Sequence, residues 1–320
     1  MRILGFDELE AMDFVSAHRS GFARLLALRD IEGASIFGDR FLERQAEALA
    51  QPGLDRLLAR LSAHERSGQP EPSAFTPVNG STGWMVIYVG YLGLNGTFIP
   101  AVERAVAHLF REHFDADQGL FLSTGRQYPG FAPCDSAMLL RALLRLGFGD
   151  DDRVLAACER HLEAIHGTKG TCRQKRGGYP CAWGMAKNLL LLNAFPEDLR
   201  APIYRETVEE IQTYLLSRHL AEGDFPRGRN SFIDHPRHWT SLGYFRSYQS
   251  DRFEACEALV DSGVKDHPDL QRTLNTIGRK CIRGVTWQPD YHRGDWPLDL
   301  EVNGGSPFLT LRGLRIARAA

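Results

Sequence analysis

The amino-acid sequence predicts an all-α chain, an α/α toroid in which helical hairpins repeat around a central cavity as inner and outer rings. Three observations predict it. One segment layout recurs five times, helices that are apolar nearly all round alternate with helices apolar on one face only, and no stretch shows convincing period-2 alternation. Each copy of the layout has a turn holding Gly, Pro, Ser or Asn, a small or polar helix start, an apolar helix and, in most copies, a Gly stop.

The first 75 residues read as helices over 14–28, 34–50 and 54–67 that complete the ring, followed by a proline-containing loop over 69–77. Residues 76–320 carry the repeats, and the whole of 1–320 is expected to form one domain. The inner helices are predicted over 84–93, 136–147, 182–195, 251–263 and 308–317. Their leading turns are Asn79-Gly80-Ser81-Thr82, Ala132-Pro133-Cys134-Asp135, Tyr179-Pro180-Cys181, Ser247-Tyr248-Gln249-Ser250 and Gly305-Ser306-Pro307. The one-faced helices over 101–111, 153–165, 203–219 and 270–280 belong to the outer ring, where the polar side meets water. Asp150-Asp151-Asp152 follows Gly147 and Gly149, so it reads as a stop-and-start capping turn and not as a diphosphate motif.

Composition sets further bounds. The chain is 43% hydrophobic and 24% charged, which permits a large core and excludes wholesale disorder. A net charge of -2 with interspersed signs gives no basic stripe, so no nucleic-acid partner is expected. The acidic start, with Asp7, Glu8, Glu10 and Asp13, is unlike an export signal, and the most apolar stretch, 83–94, is too short to span a membrane. Six scattered cysteines are unlike a disulfide framework, so a cytoplasmic location with free or metal-bound thiols is expected, transient membrane contact remaining compatible with it.

If the inner helices run the same way, their amino ends open on one mouth of the cavity. Cys134 and Cys181 then begin successive inner helices, Cys172 lies in the loop before the second, and Asp251 begins the next. Helix amino ends favour thiolates, so zinc held by Cys134, Cys172, Cys181 and His235 or His238 is one reading; small buried core cysteines are the other. Cys158, Cys256 and Cys281, in or beside amphipathic helices, read as core residues. In the polar loop 227–239, Arg227, Arg229 and Arg237 offer anion-binding groups and His235 and His238 offer acid, base or ligand roles; a solvated crossover is the alternative. Trp84, Tyr88, Trp183, Tyr244, Tyr248 and Phe308 either line the cavity or fill the core. The loop 287–296 is a candidate lid or sugar-stacking surface, or an ordinary ring closure. No Walker A, dinucleotide, HExxH or GxSxG pattern occurs, and no nucleotide cofactor is expected.

Helical hairpins of this kind with Gly-aromatic turns resemble the squalene-cyclase and protein-prenyltransferase superfamily. Asp117-Gln118-Gly119-Leu120-Phe121 is similar to its Asp-Gly-aromatic turn, and Arg283-Gly284-Val285-Thr286-Trp287 is a looser version. Ala132-Pro133-Cys134-Asp135-Ser136-Ala137 resembles the cyclases' Asp-x-Asp-Asp-Thr-Ala run, and Pro307-Phe308-Leu309-Thr310-Leu311-Arg312-Gly313-Leu314-Arg315 resembles their last inner helix. The resemblance spans about residues 75–320 and implies a cyclase, isomerase or prenyl-transfer enzyme with a hydrophobic, isoprenoid-type substrate. The cyclases' central acid falls on Cys134 and their first Asp on Ala132, which leaves Asp135 alone and disfavours proton-initiated cyclisation. Cys181 resembles the cysteine that ligates zinc in the prenyltransferases, with Tyr179 where an Asp would stand.

The catalytic candidates are therefore Cys134, Asp135, Asp251, His235, His238 and Tyr248, with Trp84, Tyr88, Trp183, Tyr244, Phe308, Arg229 and Arg237 as substrate-binding candidates. Three alternatives stay open: a Cys/His zinc lyase or hydrolase, a polysaccharide-lyase-like toroid using Asn230, His235, Arg237 and Tyr244, and a non-catalytic binding or scaffold protein.

Overall fold

A computed structural model of the chain describes residues 5–51, 53–62, 71, 73–76, 80–123, 130–168, 171, 180–217, 219–223, 225, 236–245, 247–290 and 304–319. The region expected to form a single helix over 14–28 forms two, α1 (Glu8–Ala17) and α2 (Gly21–Asp30). The break has a local cause: Ser20 Oγ accepts from the Ala23 amide at 3.4 Å, and the Ser20 amide donates to His18 Nδ1 at 3.1 Å. Side-chain bonds thus replace helical ones at the junction. Next come α3 (Asp39–Leu49), which begins after an extended Gly38 and not at residue 34, and α4 (Leu54–Leu61).

Ten more helices follow: α5 (Thr82–Tyr91), α6 (Pro100–Glu112), α7 (Pro133–Arg145), α8 (Asp152–Thr168), α9 (Ala182–Asn193), α10 (Pro202–Leu216), α11 (Pro236–Thr240), α12 (Arg252–Asp261), α13 (Pro268–Gly278) and α14 (Pro307–Ala319). Proline opens α6, α7, α10 and α13, where its fixed φ suits the first turn and its missing N–H is no loss. The described chain is mostly helical, as expected of an all-α protein.

The two predicted helix classes are both present. Every residue of α5 is buried, and α9 is buried from Ala182 to Leu192. By contrast α6 buries Val102, Ala105, Val106, Leu109 and Phe110, the stripe expected of a helix with one wet face. The buried helices pack in succession, α5 against α7, α7 against α9, α9 against α12, α12 against α14 and α14 against α2. Leu26 of α2 then lies so close to Gly93, just after α5, that a Cβ there would come within 2.5 Å of it. The carboxyl-terminal parts of α2, α7, α9, α12 and α14 line one pocket of about 730 Å³, which gives these five helices a shared polarity. Outside them, α6 packs on α5, α8 on α7, α10 on α9, α13 on α12 and α1 on α14.

Strands are few and short among the described residues. β1 (Phe114–Asp115), β2 (Leu120–Ser123) and β3 (Gly130–Phe131) form an antiparallel sheet in that order, with Phe114 opposite Phe121 and Leu122 opposite Phe131. β4 (Cys281–Ile282) and β5 (Thr286–Trp287) form a second hairpin, with Cys281 opposite Trp287. Both Gly-aromatic turns of the sequence are therefore β-hairpins. Gly119 sits at φ +68 and Gly284 at φ +73, and each hairpin delivers a fully buried aromatic, Phe121 or Trp287, into the core. A lone bridge between Thr171 and Pro180 occupies the matching place before α9.

At Gly90 the helices α5 and α7 approach closely. A Cβ there would lie 2.6 Å from Ala142 Cβ, which no real pair of carbons tolerates. Gly90→Ala is expected to force the helices apart and cost about 1–3 kcal/mol of stability in denaturant unfolding. Gly149→Ala, where an added Cβ meets nothing within 4 Å, is expected to leave stability almost unchanged.

Candidate functional site

Cys134 and Cys181 do come together. Pro133 at the first position of α7 fixes the entry, so Cys134 and Asp135 fall in the first turn, while Cys181 is the N-cap residue of α9. A Cβ placed at Gly184 would lie 3.7 Å from Cys181 Cβ and 3.9 Å from Cys134 Cβ, so both cysteines flank a single small residue. The Cys134 thiol donates to Asp135 Oδ1 at 3.6 Å. Burial pushes the Asp135 carboxyl up to about 6, against the opposing pull of the Cys134 hydrogen bond and the Lys187 charge. Cys172 and His235 lie outside the described residues, so of the zinc set expected from the sequence Cys134, Cys181 and the alternative ligand His238 are described.

The remaining described candidates fall into four groups. Trp183 packs edge-on against His238, with ring centroids 6.1 Å apart, and against Tyr248 at 6.3 Å, close to Cys181 in the chain. Trp84 and Tyr88 are buried with Phe245, and Trp84 Nε1 donates to the Phe75 carbonyl. Tyr244 stacks on Phe308 at 4.6 Å and donates its hydroxyl to the Tyr91 carbonyl. Asp251 is fully buried as the N-cap of α12, accepting from the Glu254 and Gly243 amides at 2.8 and 3.0 Å. Arg229, Asn230 and the side chain of Arg237 lie outside the described residues.

Where the sequence reading puts an apolar hollow, the described side chains form an ion-pair network. Asp251, Glu254, Glu257 and Asp261 share one face of α12 and meet Arg312 and Arg315 of α14. Arg312 Nε donates to Glu257 Oε2 at 2.7 Å, and Arg315 NH1 donates to Glu257 Oε1 at 2.6 Å. On the other side Lys187 of α9 sits 2.7 Å from Glu254 Oε2 and donates to the Tyr91 hydroxyl at 3.2 Å. Burial alone would raise Glu257; Arg315 and then Arg312 overcome it and hold the carboxyl at about 2. The open space beside these groups is about 30 Å³, room for about one water.

The larger pocket adjoins this network toward the carboxyl ends of the same helices, away from Cys134 and Cys181. Arg29, Asp30, Arg141, Arg145, Asp261 and Arg315 are among its lining residues. Arg145 and Asp30 pair at 2.8 Å, whereas Arg141 has no carboxylate within ion-pair distance among the described residues. Burial, then the charge of Arg145, lowers Arg29 to about 9, against the opposing pull of Asp30. Arg141 lies seven residues along α7 from Cys134, about 10 Å of helix rise, so the two centres sit at separate ends of one element.

Sequence reasoning missed this network, although a signal exists. Acids at 251, 254, 257 and 261 recur at helical spacing on a segment otherwise read as inner and apolar, and Arg312 and Arg315 repeat it on the last inner helix. Charges on a buried helix require partners, so the two stripes predict each other. Comparison with family models finds no match, and comparison with curated proteins finds none.

The raised carboxyl of Asp135 fixes a sign for its pH dependence. The folded state holds this proton more tightly than the unfolded chain, so its stability penalty grows as pH rises from the unfolded value of 3.8 through about 6. Asp135→Asn keeps an acceptor for Cys134 and removes the charge. Its melting temperature is expected to exceed the parent's at pH 8 and to converge with it near pH 4.

Proposed function

We propose that the chain is an enzyme on a terpenoid-cyclase-like α/α toroid, performing proton transfer on an apolar substrate at the amino ends of α7 and α9. The closed packing order from α5 through α7, α9, α12 and α14 to α2, with outer helices behind, supports the toroid. The observation that carries the activity is Asp135: a carboxyl shifted to about 6 and hydrogen-bonded by the thiol of Cys134, which itself shares the Gly184 contact with Cys181. A group that titrates near neutral pH exchanges protons in both directions, which suits general acid and base work. It is a weaker acid than an ordinary Asp, so this chemistry is isomerisation or elimination and not protonation of an isolated alkene. Trp183, Tyr248 and His238 supply an aromatic flank for the substrate.

A second reading rests on the opposite end. The arginine-rich pocket of about 730 Å³, with Arg141 lacking a carboxylate partner among the described residues, suits a polar anionic ligand. One experiment separates the two. Purified protein is incubated with a panel of polyprenyl diphosphates and their alcohols, with products followed by mass spectrometry and binding of inorganic pyrophosphate followed by thermal shift. The first reading expects double-bond isomers or elimination products, reduced about 100-fold or more in Asp135→Asn and unaffected in Arg141→Gln. Stabilisation by pyrophosphate that Arg141→Gln abolishes, with no turnover of either substrate class, favours the second and contradicts the first.

A further inference from the structure

A cluster of metal-binding side chains shares no residue with either of the two centres described above. His108 lies in α6 and His113 caps its carboxyl end, while Glu71 comes from the segment ahead of α5. Glu71 Oε2 is 3.1 Å from His113 Nε2 and 3.7 Å from His108 Nε2, and the three ligand atoms all lie within 4.8 Å of one another. These spacings leave a point within about 2.4 Å of all three atoms, against zinc bond lengths of about 2.0–2.2 Å to histidine nitrogen or carboxylate oxygen. Small side-chain adjustments close that gap.

Three further features fit an ion. The side chains of Glu71 and His113 are 1% and 5% exposed, so the cluster is withdrawn from water. His108 Nε2 is buried with no hydrogen-bond partner, a costly arrangement for a lone imidazole nitrogen facing a carboxylate. The other oxygen of Glu71 accepts from the Thr82 amide at 2.6 Å, an outer bond that fixes the carboxylate plane as metal sites require. Arg111 NH2 faces His108 Nδ1 at 3.3 Å while its Nε pairs with Glu112 at 2.7 Å, and 63% of its side chain is exposed, so the guanidinium can turn from His108 when that nitrogen takes the proton.

We propose that Glu71, His108 and His113 bind one divalent transition-metal ion of the zinc class, with a fourth position for water, and that the ion clamps the Glu71 segment to α6. Two imidazoles and one carboxylate suit zinc or cobalt better than magnesium or calcium, which favour all-oxygen shells. The site is independent of Cys134 and Cys181 and of the enzymatic reading above.

The test uses the full chain, dialysed against chelator and titrated with CoCl₂ and then ZnCl₂. In a Cys134→Ala/Cys181→Ala variant, one equivalent of cobalt is expected to produce visible d–d bands without a thiolate charge-transfer band, and one equivalent of zinc to displace it and raise the melting temperature. His108→Ala is expected to weaken uptake at least 100-fold while retaining the parent's helical circular dichroism. Should that variant fail to fold, zinc protection of His108 and His113 from carbethoxylation in the parent replaces it. No cobalt uptake by the double-Cys variant, undiminished uptake by His108→Ala, or no zinc protection of the two histidines overturns the proposal.

Discussion

Charges removed from water must meet opposite charges, and in this chain that requirement sets how the buried helices fit together. Lys187, Glu254, Glu257 and Arg312 are all nearly inaccessible, and each has a partner on another helix. An apolar contact between helices tolerates sliding by a fraction of a turn. A guanidinium held at 2.7 Å by a carboxylate does not. The pairs from α12 to α14 and from α9 to α12 therefore fix the register of three neighbouring helices. Lys187 also lies near enough to Asp135 to lower its pKa, so the same network reaches the amino end of α7.

The two ends of the buried helices consequently differ in chemistry. At the amino end of α7 and α9 stand Cys134, Asp135 and Cys181, with Trp183 and its aromatic neighbours beginning α9, and burial raises the Asp135 carboxyl. At the carboxyl ends, arginines outnumber the acids around an open pocket. Helix carboxyl termini carry partial negative charge, and the arginines there neutralise it as well as one another's partners. The histidine–glutamate cluster on α6 belongs to neither end. It joins an outer helix to Glu71, ahead of α5, where a bound ion would add a fixed point.

Much of the fold was legible in the sequence because burial of a helix leaves a pattern that local residues cannot hide. The all-apolar stretch of α5, the capping turn at Asp151 and the positive-φ glycines at 147 and 263 all stand where the pattern places them. The proximity of Cys134 and Cys181 was legible too, since it follows from equal positions at the starts of successive buried helices. Other features depend on partners distant in sequence. The break between α1 and α2 turns on one serine hydroxyl, the α12 acids make sense only beside Arg312 and Arg315, and Glu71 meets His113 only through the tertiary fold.

A double-mutant cycle across Lys187 and Glu254 tests the central claim most directly. Lys187→Met, Glu254→Gln and the double variant are compared with the parent by urea unfolding at pH 7. A buried pair that locks α9 to α12 gives two costly single substitutions and a double variant less destabilised than their sum, with a coupling of at least about 1.5 kcal/mol. Strictly additive effects, with coupling near zero, would contradict a helix assembly organised around its interior charges.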